Sequence, residues 1–458
     1  MHTAPQNWNL DERYQMKGGL KKTLLVILVI GIISFALGYI FPGGNDHGAG
    51  HGEATTEHAE AEHMEDMHME EGHLGEEHAD AEAHGVDTAA EGEHHSSPLS
   101  KRLQANFWIN NVYFLGLAVI GIFFVAIQYA AQAGWSATII RIPLAMSAWL
   151  PIGAVLTLIG WWFVHHDVFH WTHEYLIDPN DTRYDELIAG KTWYLNIPFY
   201  LGRMIVFLAG WLVAYFAIKN KSAQEDLHGG TSYWYTLRKY SAIFLVFFAV
   251  SSSMAAWDWV MSIDPHWFST LFGWYMFASW WVAGLSTITL IIVLLKQAGY
   301  LPMVNANHIH DLGKFMFAFS IFWTYLWFSQ FLLIYYANIP EESIYFVERL
   351  QEYKGIFFIN LIINFVFPFL LLMTRDAKRH GIFLQIACIA IIFGHWLDFY
   401  LMVTPGVMHE EGAFGLLEIG MLLIFGSVFG FVIMNALTKL NLVPKNHPMY
   451  QESIHHHI

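Results

Sequence analysis

Residues 23–41 read TLLVILVIGIISFALGYIF, a run of 19 residues without one charged side chain. An α-helix rises about 1.5 Å per residue, so roughly 20 apolar residues cross the hydrocarbon core of a bilayer. No small-residue cleavage pattern follows the run, and we therefore expect a retained anchor, not a removed signal peptide. This stretch predicts a membrane protein.

Nine further apolar runs of similar length follow along the chain. The whole sequence is 55% hydrophobic and 14% charged, well below the charge of about 25% that is usual for soluble domains. We therefore predict an all-α integral membrane protein with ten transmembrane helices. The predicted spans lie near residues 22–41, 105–131, 138–165, 193–218, 240–262, 270–295, 312–337, 355–374, 382–404 and 414–437.

Lysine and arginine are distributed unevenly between the two sides of the predicted membrane. When the N-terminus is placed inside, 16 of these residues fall on the inner side and six on the outer side. Basic residues accumulate in the cytoplasmic loops of multi-pass membrane proteins. The pattern therefore predicts that both termini are cytoplasmic.

Residues 42–100 hold 16 acidic residues and no Lys or Arg. Because bulky apolar residues are almost absent, we expect a disordered extracytoplasmic loop. Its histidines recur every five residues, a spacing that does not place them on one helix face. A solvated acidic linker is one interpretation; loose capture of Zn²⁺ or Cu²⁺, or local proton buffering, is the other. The histidines concerned are His58, His63, His68, His73 and His78.

Several ionisable residues lie inside predicted spans, and Asp258 is flanked there by two tryptophans in SSSMAAWDWVMSIDPHWFSTLFGWY, residues 251–275. Such residues are energetically unfavourable in a membrane and mark candidate functional sites. Counting from the span ends places most of them near or within the outer half. We predict one buried polar cluster or proton path, in which Arg203 is the counter-charge of Asp258 or Glu418. Its members are Arg203, Asp258, His395, Asp398 and Glu418.

His395 and Asp398 are three residues apart on the ninth predicted span, so they share a helix face and can pair. A carboxylate beside an imidazole can pass a proton. The alternative for the whole cluster is structural, because a buried Arg–Asp pair can simply hold helices together.

Residues at the ends of two further spans extend the predicted path. His165, His166 and Asp167 close the third span at the outer face. Asp311 and Lys314 open the seventh span on the inner side, where ordinary interfacial residues are the favoured interpretation and an entrance to the path is the alternative.

The single cysteine, Cys388, excludes several redox centres. The chain has no C-x-x-C-H motif for covalent haem and no thiolate set for an iron–sulfur cluster or structural zinc. Because only His395 is deep in the predicted membrane, a haem held by two histidines is not favoured. We expect no catalytic residue, cofactor or metal site in this chain.

Three unusual stretches resemble a known family: HIHDLGKFMFAFSIFWTYLWFSQFLLIYYANIPEE (308–342), MSIDPHWFSTLFGWY (261–275) and FGHWLDFY (393–400). They resemble the membrane subunit usually called F of bacterial alternative complex III, a quinol:electron-acceptor oxidoreductase. That subunit is similar to the NrfD/polysulfide-reductase membrane anchors, which have two four-helix bundles. The resemblance implies an N-terminus with the first anchor helix (1–41), the acidic loop (42–100), bundles at 101–265 and 266–404, and a tenth span with a cytoplasmic tail (405–458).

The resemblance also implies partners. These are a sister ten-span subunit, multihaem and monohaem cytochromes c, and an iron–sulfur subunit, all in the bacterial inner membrane. Haem c, iron–sulfur clusters and the usual quinol site would then lie in those partners. This chain would be a cofactor-free, accessory subunit that scaffolds the complex and conducts protons, with a lipid membrane and no nucleic acid among its partners.

Two other functions stay open at this point. One is that the chain binds quinol itself, in an aromatic cavity beside His395 and Asp398. The other is a secondary transporter, since ten spans with repeated halves are common in that class.

Overall fold

The computed structural model describes residues 8–41 and 97–457, which form fifteen α-helices and no named β-strand. All ten predicted transmembrane helices are present as helices that are long and apolar enough to cross a membrane. The five histidines at positions 58–78, and residues 42–96 of the predicted acidic loop, lie outside the described residues. The helices are α1 Gly18–Ile40, α2 Pro98–Ala130, α3 Arg141–Met146, α4 Leu150–Val168, α5 Glu186–Gly190, α6 Ile197–His228, α7 Thr231–Trp259, α8 Phe272–Gln297, α9 Ala306–Ala337, α10 Pro340–Gln351, α11 Lys354–Leu361, α12 Phe367–Leu371, α13 Gly381–Met408, α14 Leu416–Leu437 and α15 Tyr450–Ile454.

The spanning helices pack as two four-helix groups with a flanking pair. The first group consists of α2, α3–α4, α6 and α7, and the second of α8, α9, α11–α12 and α13; the buried apolar side chains of both form one continuous core. Helices α2, α8 and α13 contact one another and join the two groups. A helix that is apolar on every side is expected to lie in the centre of a bundle. Accordingly, α2 and α8 are the most buried spans among the described residues.

The start of α2 differs from the sequence prediction by about two turns. The helix begins at Pro98 instead of near residue 105, and the Ser97 side chain accepts a hydrogen bond from the Ser100 amide (3.3 Å) as its N-cap. Proline suits the first helical position because its missing N–H would have no partner there. This extension places Arg102 on a helix.

Helix α1 lies against α14 through close backbone contact at glycines. A Cβ atom added at Gly38 would lie 2.3 Å from the Leu417 amide nitrogen, and one at Gly420 would lie 2.4 Å from that of Phe35. Small residues permit such close approach between helices in membranes, where no hydrophobic force drives them together. The α1–α14 pair therefore depends on having no side chain at these two positions.

The first and last described segments of the chain lie at one end of the helix bundle. Arg13 forms a backbone bridge with Asn441, and the Leu442 amide donates to the Glu12 carbonyl (3.0 Å). We call this end the terminal face, and the opposite end the distal face. The distal face includes the connections 169–196, 264–271, 338–353 and 409–415.

A proline inside α13 explains why one arginine is buried at the distal face. Pro405 has no N–H, so the Leu401 carbonyl loses its helical partner. Arg349 donates instead from Nε to that carbonyl (3.0 Å) and from Nη1 to the Tyr345 carbonyl (2.7 Å). Its guanidinium also lies 3.3 Å from the centre of the Tyr345 ring. Arg349 thus connects α10 to α13.

Candidate functional site

Arg203 and Asp258 form a buried, two-pronged ion pair near the distal face. Nε lies 2.7 Å from Oδ2 and Nη2 lies 3.1 Å from Oδ1, while Nη1 donates to the Tyr194 carbonyl (3.0 Å). The guanidinium also lies against the rings of Tyr194 (3.8 Å) and Phe199 (4.4 Å). Asp258 is completely buried, and a guanidinium neutralises its charge. Of the two partners predicted for Arg203, the structure selects Asp258.

Glu418 has a different arginine as its partner. Arg102 on α2 donates from Nε to Oε1 (2.6 Å) and from Nη2 to Oε2 (2.7 Å). Oε2 also accepts from the Gly415 amide (2.7 Å), which caps α14. Sequence reasoning missed this pair because it placed Arg102 in a loop. The sequence signal for this pair is Pro98, because a proline suits the first position of a helix and would have placed Arg102 on α2.

Asp398 occupies the core of the second helix group and is surrounded by neutral donors. Tyr275 donates to Oδ1, Asn360 donates to Oδ1 (2.9 Å) and Trp323 donates to Oδ2 (2.9 Å). These donors come from α8, α11 and α9, so every helix of the group contributes. The side chain is completely buried, and no cation pairs with it among the described residues. Asp258 therefore has an arginine as its counter-charge, whereas the partners of Asp398 are neutral donors.

The predicted pairing of His395 with Asp398 is corrected by the structure. His395 Nδ1 lies 3.0 Å from Ser279 Oγ, and its buried Nε2 has no hydrogen-bond partner among the described residues. Trp323 contacts the imidazole edge-on (5.3 Å between ring centres) and donates to Asp398. Donors from three other helices surround the carboxylate, so within the described residues the imidazole makes no hydrogen bond to it and is linked to it indirectly, through Trp323 and Ser279.

The predicted cluster therefore divides into three separate sites. The Arg203–Asp258 pair lies in the first helix group, and Glu418 joins α14 to α2. Asp398 and His395 lie in the second group. No hydrogen bond or ion pair connects the three sites within the described parts of the chain. All five residues do lie at or beyond the middle of their spans, toward the distal face.

Two small cavities lie between Asp398 and the distal face. One of about 20 Å³ is lined by Tyr275, Gln330 and Arg349, and the buried Gln330 side-chain oxygen has no hydrogen-bond partner in the described segments. The other, of about 10 Å³, shares Arg349 and reaches Asp264 in the distal connection. A cavity of about 10–15 Å³ holds one water molecule when polar groups line it. The first cavity therefore has room for water beside the Tyr275 ring.

The predicted residues that close the third span lie in the last turn of α4. His165 Nδ1 lies 3.0 Å from the Trp162 carbonyl, and Asp167 accepts a hydrogen bond from Gln104. His166 is mostly exposed and lies 3.9 Å from Asp167. The hydrogen bond from Gln104 to Asp167 anchors the end of α4 to α2.

Asp311 and Lys314, the predicted inner entrance, lie at the terminal face beneath the C-terminal tail. Lys314 Nζ is 2.5 Å from Asp311, and His456 Nε2 is 2.6 Å from the other carboxylate oxygen. Further into the second group, the buried Met316 and Cys388 contact each other at 3.9 Å. Apolar packing therefore lies between Asp311 and His395.

A second charged group at the terminal face was not predicted. Arg141 donates to Asp226 (2.6 Å) and to the Ser222 carbonyl (2.9 Å). Glu225 is fully buried, and neither of its carboxylate oxygens is hydrogen-bonded within the part of the chain that the structure describes. Span four was predicted to end at residue 218, which left Ser222, Glu225 and Asp226 outside it. In the structure α6 continues to His228 and carries all three residues.

In the distal connection, burial, reinforced by the neighbouring His409 and His173, lowers the pKa of His170 to about 4. Burial alone would raise the pKa of Asp185, but hydrogen bonds from His266 (2.6 Å) and from backbone amides outweigh it and lower the pKa. No group of three or more His, Cys, Asp or Glu that could hold a metal ion occurs among residues 8–41 and 97–457.

Fold and site together define an all-α, multi-pass integral membrane protein whose predicted polar residues lie in three separate buried sites. Comparison with models of known protein families finds no match to the chain. Comparison with curated proteins likewise finds none.

Proposed function

We propose that this chain is an accessory membrane subunit of a quinol-oxidising respiratory complex of the alternative complex III type. In this proposal it carries no redox cofactor, scaffolds cytochrome c and iron–sulfur partners, and exchanges protons at Asp398. It lies in the bacterial inner membrane with both termini cytoplasmic, so the distal face is extracytoplasmic. The sequence resemblance and the distribution of Lys and Arg support this assignment.

The environment of Asp398 is the observation that carries the proton role. Asp258 and Glu418 each lie within hydrogen-bond distance of a guanidinium, so their charge is compensated in place. Asp398 has only hydroxyl, indole and amide donors. An uncompensated buried charge is unfavourable by several kcal/mol, whereas a group with neutral partners can take up and release a proton. Asp398 is therefore the proton carrier in this proposal, and the two ion pairs are structural.

The two cavities support exchange with the distal side. Tyr275 donates to Asp398 and also lines the larger cavity, so its hydroxyl can relay a proton between the carboxylate and a water molecule. Asp264 lines the smaller cavity at the end of this route. On the terminal side, Met316 and Cys388 fill the core and His456 covers Asp311. The proposed route therefore opens to the distal face alone in this conformation.

The proton role is tested with Asp398→Asn in the intact complex reconstituted in liposomes. Asparagine retains the size and an acceptor for Trp323 but cannot carry a proton. We expect normal assembly and fewer protons released per electron, measured with a pH-sensitive dye during quinol oxidation. Glu410→Gln, a change at an exposed acid of the same face, is the matched control and should leave the proton yield unchanged. An unchanged yield in Asp398→Asn would refute the proton role.

The assignment to a complex is tested separately by affinity purification of the full chain from its native membrane. Cytochromes c that co-purify in fixed ratio, with haem c spectra, are expected. Purification of the chain alone, with transport activity, would instead support a secondary transporter.

A second function, quinol binding in this chain, is favoured by one further pocket. A pocket of about 310 Å³ at the distal face is lined by Trp193, Tyr194, Trp257 and Trp267, and Tyr194 is the residue that lies against Arg203. Ligand pockets of this size and aromatic character suit a flat ring. The cavity beside Tyr275, which donates to Asp398, has a volume of about 20 Å³ and is too small for a ring. Photoaffinity labelling with an azido-quinone should mark residues 187–195 or 257–268 if this function holds, and Trp257→Ala should reduce the label.

A further inference from the structure

A cleft on the outer surface of the bundle lies between the first helix group and α14, near the terminal face. It has a volume of about 290 Å³. Its walls include Ala148 and Ile152 on the α3–α4 side, Phe216 on α6 and Phe431 on α14. Ile152, Phe216 and Phe431 are 38%, 44% and 48% exposed. The cleft is therefore an apolar groove that faces the hydrocarbon of a membrane.

Two lysines line the end of this cleft at the terminal face. Lys219 comes from the last turns of α6, and Lys439 follows the end of α14. Neither ammonium group has a carboxylate partner among the described residues, and Lys219 lies only over the Tyr215 ring (5.3 Å). The two positive charges repel each other, and an anion between them would relieve this repulsion. This end of the cleft is therefore complementary to an anion.

The third cation that lines the cleft is Arg141, whose positive charge is partly compensated by Asp226. Its Nη2 contacts Asp226 (2.6 Å), while its buried Nε and Nη1 have no hydrogen-bond partner in residues 8–41 and 97–457. Asp226 and the nearby Glu225 do not line the cleft. The net charge at the mouth of the cleft is therefore positive.

We propose that this cleft binds one anionic phospholipid, with its phosphate between Lys219 and Lys439 and an acyl chain between α4, α6 and α14. Basic pockets between transmembrane helices are suited to anionic lipid head groups. The apolar wall continues from the lysines into the span, which a free phosphate ion would leave unused. A second groove of about 360 Å³ shares Phe431 and is lined by Lys21 of α1. The bound lipid thus connects α14 to the first helix group. Because α1 packs on α14, the lipid also links α1 to that group indirectly.

The proposal is tested by native mass spectrometry of the full chain, in the complex with which it purifies, after exchange into phosphatidylglycerol or phosphatidylcholine. We expect Lys219→Gln/Lys439→Gln to retain phosphatidylglycerol at least tenfold more weakly than the unchanged protein. The control Lys221→Gln/Lys239→Gln removes the same charge from the same face and should retain it normally. Equal retention by the two double variants would overturn the proposal.

Two further arms identify the ligand. Ala148→Trp fills the groove but leaves both lysines, and it should also reduce phosphatidylglycerol retention. Phosphatidylcholine should be retained weakly and equally by all variants; retention as strong as that of phosphatidylglycerol would mean that no head group is recognised and would overturn the proposal. Inorganic phosphate alone should not protect the chain from thermal unfolding, and protection equal to that by phosphatidylglycerol would assign the site to a soluble anion instead.

Discussion

Removing one partner of the Arg203–Asp258 pair should strongly destabilise the first helix group. Asp258→Leu removes both carboxylate contacts, at 2.7 and 3.1 Å, and leaves Arg203 with only the Tyr194 carbonyl and aromatic contacts. Breaking a buried ion pair costs about 3–5 kcal/mol, which is roughly a 100- to 4,000-fold change in the folding equilibrium at about 1.4 kcal/mol per tenfold. The cost arises because a buried charge loses its counter-charge.

The double variant Arg203→Met/Asp258→Leu separates this explanation from a simple packing defect. Replacing both charges by apolar side chains of similar volume is often neutral or stabilising, so we expect the double variant to lie within about 1 kcal/mol of the unchanged protein. Reversible unfolding in mixed detergent–SDS micelles, followed by tryptophan fluorescence, measures each free energy. A single Asp258→Leu variant as stable as the unchanged protein would refute the argument, as would a double variant no better than the single one.

The same experiment tests whether the buried charges form one site or several. Arg102 and Glu418 have the same two-pronged geometry, at 2.6 and 2.7 Å, in another part of the bundle. Effects at sites without shared partners add within about 0.3–0.5 kcal/mol. The losses from Asp258→Leu and Glu418→Leu should therefore be additive, and a coupling above about 1 kcal/mol would restore the single cluster that the sequence predicted.

Three other regions yield predictions of their own. Gly38→Leu should separate α1 from α14, because the added side chain meets backbone, and a cysteine crosslink between the two helices should then fail to form; efficient crosslinking would contradict this. Arg349→Met should destabilise the chain, but less so in a Pro405→Ala background, where an added N–H can bond the carbonyl that Arg349 serves; equal losses in both backgrounds would exclude that account. The lowered pKa of His170 stabilises the fold above its unfolded value of about 6.5, and this stability is lost as the pH falls toward about 4. Hydrogen exchange of residues 169–176, corrected for its intrinsic pH dependence, should therefore become faster as the pH falls over this range. The His170→Gln variant should not show this increase. The same pH profile in the variant and the unchanged protein would contradict the assignment.

The class of fold could be predicted from the sequence because the hydrocarbon core of a membrane restricts which backbone structures can cross it. Backbone groups inside a bilayer must be paired within helices, so each apolar run of sufficient length predicts one spanning helix, and all ten are present. The same rule made the ionisable residues conspicuous, and their depth along each span could be counted. Helix ends were less accurate, since α2 starts earlier and α6 ends later than hydropathy indicates.

The partners of the buried charges depended on the tertiary structure. Residue spacing places His395 and Asp398 on one side of α13, but donors from three other helices decide what the carboxylate contacts. Composition likewise cannot tell that Glu418 faces Arg102, because the two residues are 316 positions apart and meet only when α14 packs on α2. Hydrophobicity along the chain thus determined which segments cross the membrane. Only the packing of helices against one another decided which buried acids have a compensating charge and which one has neutral partners alone.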